Sequence, residues 1–224
     1  MDKALRWLFF ALFVRPAIWL LLGLNIRSQD RLPQKGPAIV VANHNSHLDT
    51  PVLITLLPLR LLPKIRPVAA AGYFLKNRWL AWFATKIIGI IPIALGTGKP
   101  KEEVLAEAIQ ALQNDSILIL FPEGTRGEPE QFGRFKSGVA ALAEMFPAVP
   151  VVPVFLHGLG KALPRGEAML VPFFCDGFVG EPVYWNGEKN AFMQTLSERF
   201  VIFCDIGSRK QEHGTWSVFW RRCR

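Results

Sequence analysis

The stretch Ala38–Asp49 has the sequence AIVVANHNSHLD and decides the fold class of this chain. Its first five residues are apolar, and a short apolar run that ends at polar residues is typical of a strand buried on both faces of a sheet. A polar loop follows, and Thr50-Pro51 predicts a helix with Thr50 as its N-cap and Pro51 as its first residue. A buried strand that leads into a helix is the repeating unit of α/β folds.

Similar units recur along the chain. Besides Ala38–Ala42, further short apolar runs predict buried strands at Val68–Ala71, Ile90–Ala94, Ile117–Phe121 and Val151–Leu156. Apolar residues at helical spacing predict helices at Tyr73–Ile87, Lys101–Leu112 and Ser137–Phe146. This alternation predicts a single α/β domain with a largely parallel central sheet flanked by helices. In such sheets, ligands bind at the carboxyl ends of the strands.

Composition narrows the class of protein. The chain has 224 residues, of which 50% are hydrophobic and 20% charged, and its formal net charge is +8. A basic surface suits nucleic acid, anionic lipid or an acidic carrier protein. The 7 Trp and 17 Phe cluster in apolar stretches, which favours a membrane interface and predicts no nucleic-acid partner. Cys175, Cys204 and Cys223 form no C-x-x-C, so we expect a reducing compartment and neither a disulfide framework nor a zinc site.

The N-terminus carries two apolar blocks, Leu5–Val14 and Ala17–Ile26, which are separated by Arg15-Pro16. A single transmembrane span would place an arginine in mid-bilayer, at a cost of about 2.5 kcal/mol or more, and each block alone is too short to cross. We expect residues 1–28 to form interfacial membrane-anchoring helices with Trp7 and Trp19 at headgroup level. A buried core helix, a signal peptide and a true span are the alternatives.

The loop after the first predicted strand is Asn43-His44-Asn45-Ser46-His47-Leu48-Asp49. It can fold back so that the Asp49 carboxylate meets one ring nitrogen of His44, which fixes the tautomer and makes the other nitrogen more basic. That nitrogen can take a proton from an alcohol that then attacks a thioester. Two other interpretations stay open: Asp49 caps the helix beside an ordinary loop histidine, or His44, His47 and Asp49 bind a metal ion in a hydrolase. We expect no metal, because no further cluster of metal-ligand residues follows in the sequence.

A second motif, Phe121-Pro122-Glu123-Gly124-Thr125-Arg126, follows the predicted strand at Ile117. Gly124 allows a ligand to approach the backbone, and Arg126 offers a planar fork that fits a phosphate. Glu123 can accept a hydrogen bond from a hydroxyl or orient Arg126, and a turn with a surface Glu–Arg pair is the alternative. Further residues suited to anion binding open the next helix: Arg134, Lys136 and Ser137-Gly138.

Together the two motifs resemble those of the phospholipid/glycerol acyltransferase family, which includes the 1-acyl-glycerol-3-phosphate acyltransferases. The N-H-x-x-x-x-D motif corresponds to Asn43–Asp49, F-P-E-G-T-R is unaltered at Phe121–Arg126, and V-P-V corresponds to Val152–Val154. The resemblance implies that His44 is the general base and that Asp49 orients it. It also assigns binding of the acceptor, chiefly of its phosphate, to Glu123, Gly124, Thr125 and Arg126.

The same resemblance implies an acyltransferase domain at residues 29–205, followed by a basic, aromatic tail at 206–224. It implies acyl-CoA or an acyl carrier protein as the co-substrate, a membrane lipid as the partner, and no cofactor. We expect a monotopic protein on the cytoplasmic face of a membrane. The tail segment Thr215–Arg224 (TWSVFWRRCR) can add contacts to anionic lipid.

One family position differs in this chain. A family motif near the third strand ends in an arginine that is associated with the acceptor phosphate, and the corresponding stretch Gly89–Leu95 ends in leucine. Basic residues that could replace the arginine are Lys99, Lys101, Arg134 and Lys136, and we include Lys136 among the expected acceptor-binding residues. Two alternatives follow: the acceptor is another lyso-lipid, such as a lyso-aminolipid, or the chain is a non-catalytic lipid-binding membrane module.

Overall fold

A computed structural model gives the fold and describes residues 2–74, 77–94, 96, 98–124, 135–162 and 173–211. Several positions named above lie outside the described residues: Leu95, Thr125, Arg126, Arg134 and Thr215–Arg224.

The described part of the chain forms one seven-stranded sheet. Its strands are β1 (Leu22–Arg27), β2 (Ala38–Ala42), β3 (Ile65–Ala70), β4 (Ile91–Ile93), β5 (Ile117–Leu120), β6 (Val151–His157) and β7 (Phe173–Val179). They lie in the order β1-β7-β6-β2-β5-β3-β4, and every neighbouring pair is parallel except β6 and β7. The predicted α/β fold with a largely parallel sheet is confirmed, and β2 and β5 lie inside the sheet as neighbours.

Helices precede and follow the strands along the chain. Those in the described residues are α1 (Asp2–Phe9), α2 (Arg15–Leu21), α3 (Asp49–Leu56), α4 (Ala71–Phe74), α5 (Arg78–Trp82), α6 (Lys101–Val104), α7 (Ala106–Gln113), α8 (Gly138–Met145), α9 (Leu159–Ala162) and α10 (Lys189–Gln211). Two segments are π-helical, Phe10–Val14 and Phe83–Ile88, and two form 3-10 turns, Gln29–Arg31 and Leu59–Lys64.

Helices cover both faces of the sheet, which explains the unbroken apolar run of β2. Ala38, Val40 and Ala42 contribute to the core layer under the N-terminal helices and α3. Ile39 and Val41 contribute to the opposite layer, under α7, α8 and α10. Successive residues of a strand point to opposite faces, so a strand that is covered on both sides has no position for a polar side chain.

All five predicted strands are present, but the predictions missed β1, β7 and α10. The second N-terminal apolar block, Ala17–Ile26, is helical only as far as Leu21, and its remaining residues belong to β1. Leu22 lies opposite Phe173 in the parallel pairing of β1 with β7. A pairing between segments so distant in the sequence overrides local periodicity, which reports only on neighbouring residues.

Two predicted helices have different boundaries in the structure. The predicted helix Lys101–Leu112 is interrupted at Leu105, whose φ of −96° and ψ of 3° separate α6 from α7. Within the predicted helix Tyr73–Ile87, α5 begins at Arg78 because the side chain of Asn77 accepts a hydrogen bond from the backbone N–H of Trp79 at 2.8 Å.

The N-terminal helical run Asp2–Leu21 continues through Arg15 and Pro16, which was not predicted. Its 20 residues are long and apolar enough to cross a membrane by length and composition. A π-helical turn precedes Pro16, which lies in the first turn of α2, where a missing backbone N–H costs little.

One side of this helical run is attached to the rest of the domain. Nη2 of Arg6 donates hydrogen bonds to the carbonyl oxygens of Ile65 and Ile88 at 2.9 and 2.8 Å. Nη2 of Arg15 donates to the carbonyl oxygen of Thr55 at 3.2 Å. Two apolar side chains of the run are fully buried: Phe10 and Ile18. Residues four or eight positions apart share one helix face, so Arg6, Phe10 and Ile18 define the docked side.

Candidate active site

The loop that follows β2 is fixed to the neighbouring strand by Asn43. Its side-chain amide donates to the carbonyl oxygen of Leu156 at 2.8 Å, and its side-chain oxygen accepts from the N–H of Leu156 at 2.7 Å. Asn43 is buried, and both hydrogen bonds join residues 113 positions apart in the sequence. The residue before His44 is therefore held at a defined point beyond the carboxyl end of β2.

His44 and Asp49 form the pair that the sequence predicted. Nδ1 of His44 lies 2.9 Å from Oδ2 of Asp49. The same oxygen accepts hydrogen bonds from the backbone N–H groups of Asn45 and Ser46 at 2.7 and 2.8 Å. Only 1% of the Asp49 side chain is exposed, against 21% of the His44 side chain. The buried carboxylate thus holds the loop together through hydrogen bonds, whereas the imidazole is partly exposed at the surface of the loop.

The helix after this loop begins at Asp49, so the prediction of Thr50 as N-cap is wrong. The Asp49 carboxylate faces back into the loop, where it accepts from Asn45, Ser46 and His44. These loop donors lie before α3 in the chain, so the contacts do not support the interpretation of Asp49 as a simple helix cap.

The second motif reaches the same place from the carboxyl end of β5. The ring of Phe121 stacks on the imidazole of His44 with centroids 4.1 Å apart and an interplanar angle of 21°. Oε1 of Glu123, a buried residue, accepts a hydrogen bond from the backbone N–H of His44 at 3.1 Å. These two contacts with His44 were not predicted, because they join the ends of two different strands and leave no signal in the local sequence.

Gly124 and Lys136 lie against each other beside this pair. Gly124 has a φ of +70°, and a Cβ added there would lie 2.5 Å from Nζ of Lys136. The backbone N–H of Lys136 donates to the carbonyl oxygen of Pro122 at 2.7 Å. The left-handed backbone conformation therefore favours glycine at this turn, and the absence of a side chain leaves room for the lysine above it.

A cavity of about 270 Å³ opens next to Gly124, between the ends of β4 and β5, α6 and α8. Its walls are mostly apolar, with Ile93, Val104, Leu105, Leu120, Val139 and Leu142 among the lining residues. Three lysines also line it: Lys99, Lys101 and Lys136. Lys99 pairs with Glu103, and Nζ of Lys101 donates to the hydroxyl of Ser137 at 3.0 Å. An apolar cavity with a few cations suits a ligand that is both oily and anionic.

The geometry also determines what His44 can do chemically. An ionised carboxylate only accepts hydrogen bonds, so the contact with Asp49 places the proton of a neutral His44 on Nδ1. Nε2 is then the nitrogen that could accept a proton from a reacting hydroxyl.

The thiol of Cys175 is protonated at neutral pH. Burial, with smaller effects from Asp176 and Asp49, raises the pKa of this thiol to about 11.

The histidine that contacts Asp49 is His44, whereas His47 is exposed. Within the described ranges, no group of three or more His, Cys, Asp or Glu side chains is placed to hold a metal ion.

The fold and the site define the class of protein: an α/β domain with a largely parallel sheet, which holds an oriented histidine beside an apolar cavity at the carboxyl end of a central strand. The chain belongs to the Acyltransferase family, whose model matches residues 23–157, more than half of the 224 residues. The matched segment begins in β1 and ends with β6, and it contains both motifs.

Proteins with curated names show the same relationship. The chain is 30% identical over 145 residues to the chloroplastic 1-acyl-sn-glycerol-3-phosphate acyltransferase LPAT1 of Arabidopsis thaliana, a match that covers 64% of this chain and 38% of that protein. It is 32% identical over 163 residues to a Dictyostelium discoideum protein named Taffazin, covering 67% of this chain and 56% of that one. The chain thus spans about half or less of the length of these relatives.

A solved structure has the same fold. The crystal structure of the 1-acyl-sn-glycerophosphate acyltransferase PlsC from Thermotoga maritima matches with a TM-score of 0.64 and covers 88% of this chain and 77% of that one. The two sequences are 23% identical, so this likeness bears on the fold.

The role of Asp49 in holding the loop can be tested by its effect on stability. Asp49→Ala leaves the N–H groups of Asn45 and Ser46 without an acceptor, and we expect the free energy of unfolding to fall by about 2–4 kcal/mol. Asp49→Asn keeps an acceptor oxygen and serves as the matched control, with a smaller loss. Urea denaturation measures both, and equal losses in the two variants would contradict the role assigned to these hydrogen bonds.

Proposed function

We propose that this chain transfers a fatty acyl group from acyl-CoA or acyl carrier protein to the hydroxyl of a lysophospholipid, with 1-acyl-glycerol-3-phosphate as the acceptor. The observation that carries the proposal is the 2.9 Å contact between His44 Nδ1 and Asp49 Oδ2 beside a cavity with apolar walls and lysines. Relatives from a plant and a bacterium are named 1-acyl-sn-glycerol-3-phosphate acyltransferases, which supports the choice of acceptor.

The proposed reaction uses His44 as a general base. Nε2 of His44 takes the proton of the acceptor hydroxyl while that oxygen attacks the carbonyl carbon of the thioester. The tetrahedral intermediate then collapses, the carbon–sulfur bond breaks, and the protonated imidazole returns the proton to the leaving thiolate. Asp49 stabilises the transient imidazolium through Nδ1. No atom changes its oxidation state in these steps, so the reaction needs no redox cofactor. Because the acceptor oxygen attacks the thioester directly, no covalent enzyme intermediate is needed.

The cavity beside Gly124 supplies sites for both parts of the acceptor. Its apolar wall suits an acyl chain, and its lysines suit a phosphate. Among these lysines, Lys99 and Lys101 already contact Glu103 and Ser137, whereas Lys136 lies over Gly124 next to the catalytic pair. We therefore assign the phosphate contact to Lys136, together with Thr125 and Arg126 of the F-P-E-G-T-R motif.

The N-terminal helical run is proposed to bind the membrane surface without crossing the bilayer. Its docked side is attached to the domain through Arg6, while its other side exposes large apolar residues. Those residues are Leu5, Trp7, Leu8, Leu12, Phe13, Trp19, Leu20 and Leu21. Trp79, Leu80 and Trp82 of α5 are exposed as well, and the following segment packs on the run through an edge contact between the rings of Phe83 and Phe9 at 5.5 Å. Because acyl-CoA and acyl carrier protein are cytoplasmic, we place the protein on the cytoplasmic face.

The experiment that tests the proposed activity is acceptor-dependent thiol release. Wild type, His44→Ala and Asp49→Asn are supplied with acyl-CoA or acyl carrier protein and a panel of lysophospholipids and lyso-aminolipids. We expect release with 1-acyl-glycerol-3-phosphate and a loss of about 10²–10⁴-fold in kcat for His44→Ala, which lacks the base. Asp49→Asn also loses activity, because its amide favours the wrong tautomer of His44.

Each other result has a defined meaning. Full activity in a folded His44→Ala variant would refute the mechanism. Release with a different lyso-lipid alone would change the acceptor, in line with the leucine at position 95. A folded, membrane-bound wild type without release on any acceptor would favour a non-catalytic lipid-binding module.

Lys136→Ala tests the phosphate contact. Loss of a charge-assisted hydrogen bond corresponds to a rise of about tenfold or more in KM for the phosphate-bearing acceptor, with a much smaller change in KM for the acyl donor. Lys99→Ala is the matched control, because it removes the same charge from the same cavity at a lysine that is already paired with Glu103. Similar changes in both variants would argue against a specific contact by Lys136.

Membrane binding is tested by flotation with neutral phosphatidylcholine vesicles. Trp19, with 75% of its surface exposed, and Trp79, with 80%, are each replaced by Glu, and we expect both variants to lose most vesicle binding. Tyr184→Glu alters an exposed aromatic residue outside these helices and should bind like wild type. Binding that survives in a Trp19→Glu/Trp79→Glu double variant would contradict the proposed surface.

A further inference from the structure

A second cavity, of about 490 Å³, lies at the opposite end of the sheet from His44 and Asp49. Six charged residues line the cavity: Lys3, Arg6, Arg66 and Lys86 are basic, and Asp2 and Glu107 are acidic. Its lining therefore has an excess of positive charge.

The register of the sheet separates this cavity from the active site. Arg66 of β3 lies opposite Leu118 of β5, which lies opposite Ile39 near the start of β2. At about 3.3 Å per residue, the rest of β2 after Ile39 spans roughly 10 Å, and His44 lies beyond its end. The cavity is thus a different site from the one that holds the catalytic pair.

Two guanidinium groups in this lining have unused hydrogen-bonding capacity. Arg6 is only 6% exposed, its Nη2 bonds to neutral carbonyl oxygens, and its Nε is buried without a hydrogen-bond partner in the described structure. Nε of Arg66 is likewise buried and without a partner among the described residues. Burial, and secondly the charge of Arg66, lower the pKa of Arg6 to about 10. A bound anion would relieve both the repulsion and the unmet donors.

The acidic residues in the lining offset only part of this charge. Asp2 lies 3.9 Å from Nζ of Lys86. The charge of Glu107 raises the pKa of Arg66, but burial has the larger effect, so the pKa of Arg66 is lowered overall. Of the four basic residues in the lining, Lys86 is the one with an ion pair in the described part of the chain, which leaves Lys3, Arg6 and Arg66 without one there.

We propose that the cavity between Arg6 and Arg66 binds the phosphate group of an anionic phospholipid. Trp7 lines the cavity and is 46% exposed, on the helix that we propose to lie on the membrane. The mouth of the cavity is therefore next to the surface that meets lipid headgroups. The inference rests on the proposed membrane association and is independent of the acyl-transfer chemistry.

The test is binding to vesicles of phosphatidylcholine alone and of phosphatidylcholine with phosphatidylglycerol, measured by flotation in the His44→Ala background so that no reaction occurs. With the wild-type cavity residues, we expect tighter binding to the anionic vesicles than to the neutral ones. Arg66→Gln should reduce that gain in affinity about tenfold, and Lys3→Gln severalfold. Arg60→Gln is the matched control: Arg60 is exposed, contacts Gln34 and does not line the cavity. It should lower the gain much less than Arg66→Gln.

The outcomes separate this inference from the proposed function. Equal effects of Arg66→Gln and Arg60→Gln would overturn it, since nonspecific charge attraction would then suffice. Loss of inorganic phosphate binding in Arg66→Gln, with vesicle binding unchanged, would overturn the lipid assignment in favour of a soluble anion. With an intact histidine, Arg66→Gln should keep thiol release in neutral detergent within about twofold, because the cavity lies away from the catalytic pair.

Discussion

Three N–H donors meet on one oxygen of Asp49, a carboxylate that is almost completely removed from water. A buried charge is tolerated only when hydrogen bonds replace its hydration, and here two of the donors are backbone groups of the loop itself. The loop after β2 is thus folded around the charge that orients His44. Oδ1 of the same carboxylate is buried without a hydrogen-bond partner in the described structure, a cost of the kind found at functional sites.

Contacts with neighbouring strands of the sheet set the position of this loop. Asn43 joins the loop to β6, and Glu123 and Phe121 join it to the end of β5, so three adjacent parallel strands set the position of His44. Helices bury both faces of those strands. The apolar runs thus form a covered sheet, the sheet aligns the ends of its strands, and the aligned strand ends orient His44.

The sequence predicted those parts that depend on neighbouring residues. The apolar run Ala38–Ala42 predicted β2, and the spacing between His44 and Asp49 predicted the contact that the structure shows. The support from Glu123 and the strand β1 could not be predicted in this way, since each depends on a partner far along the chain. Leu22–Ile26 belongs to the same apolar block as the helix before it, and its pairing with the distant β7 accounts for its strand conformation.

No linker separates α2 from the sheet: the helix ends at Leu21 and β1 begins at Leu22. A tethered enzyme can sample a range of heights above a bilayer, but here the helix that we propose to lie on the membrane is joined to the sheet without a linker and also through Arg6. On the proposed membrane surface, His44 and Asp49 would therefore stay at a fixed depth relative to the headgroups. An acceptor lipid would have to rise to meet them, so its solubility in water and the length of chain left in the bilayer would limit which lipids can react.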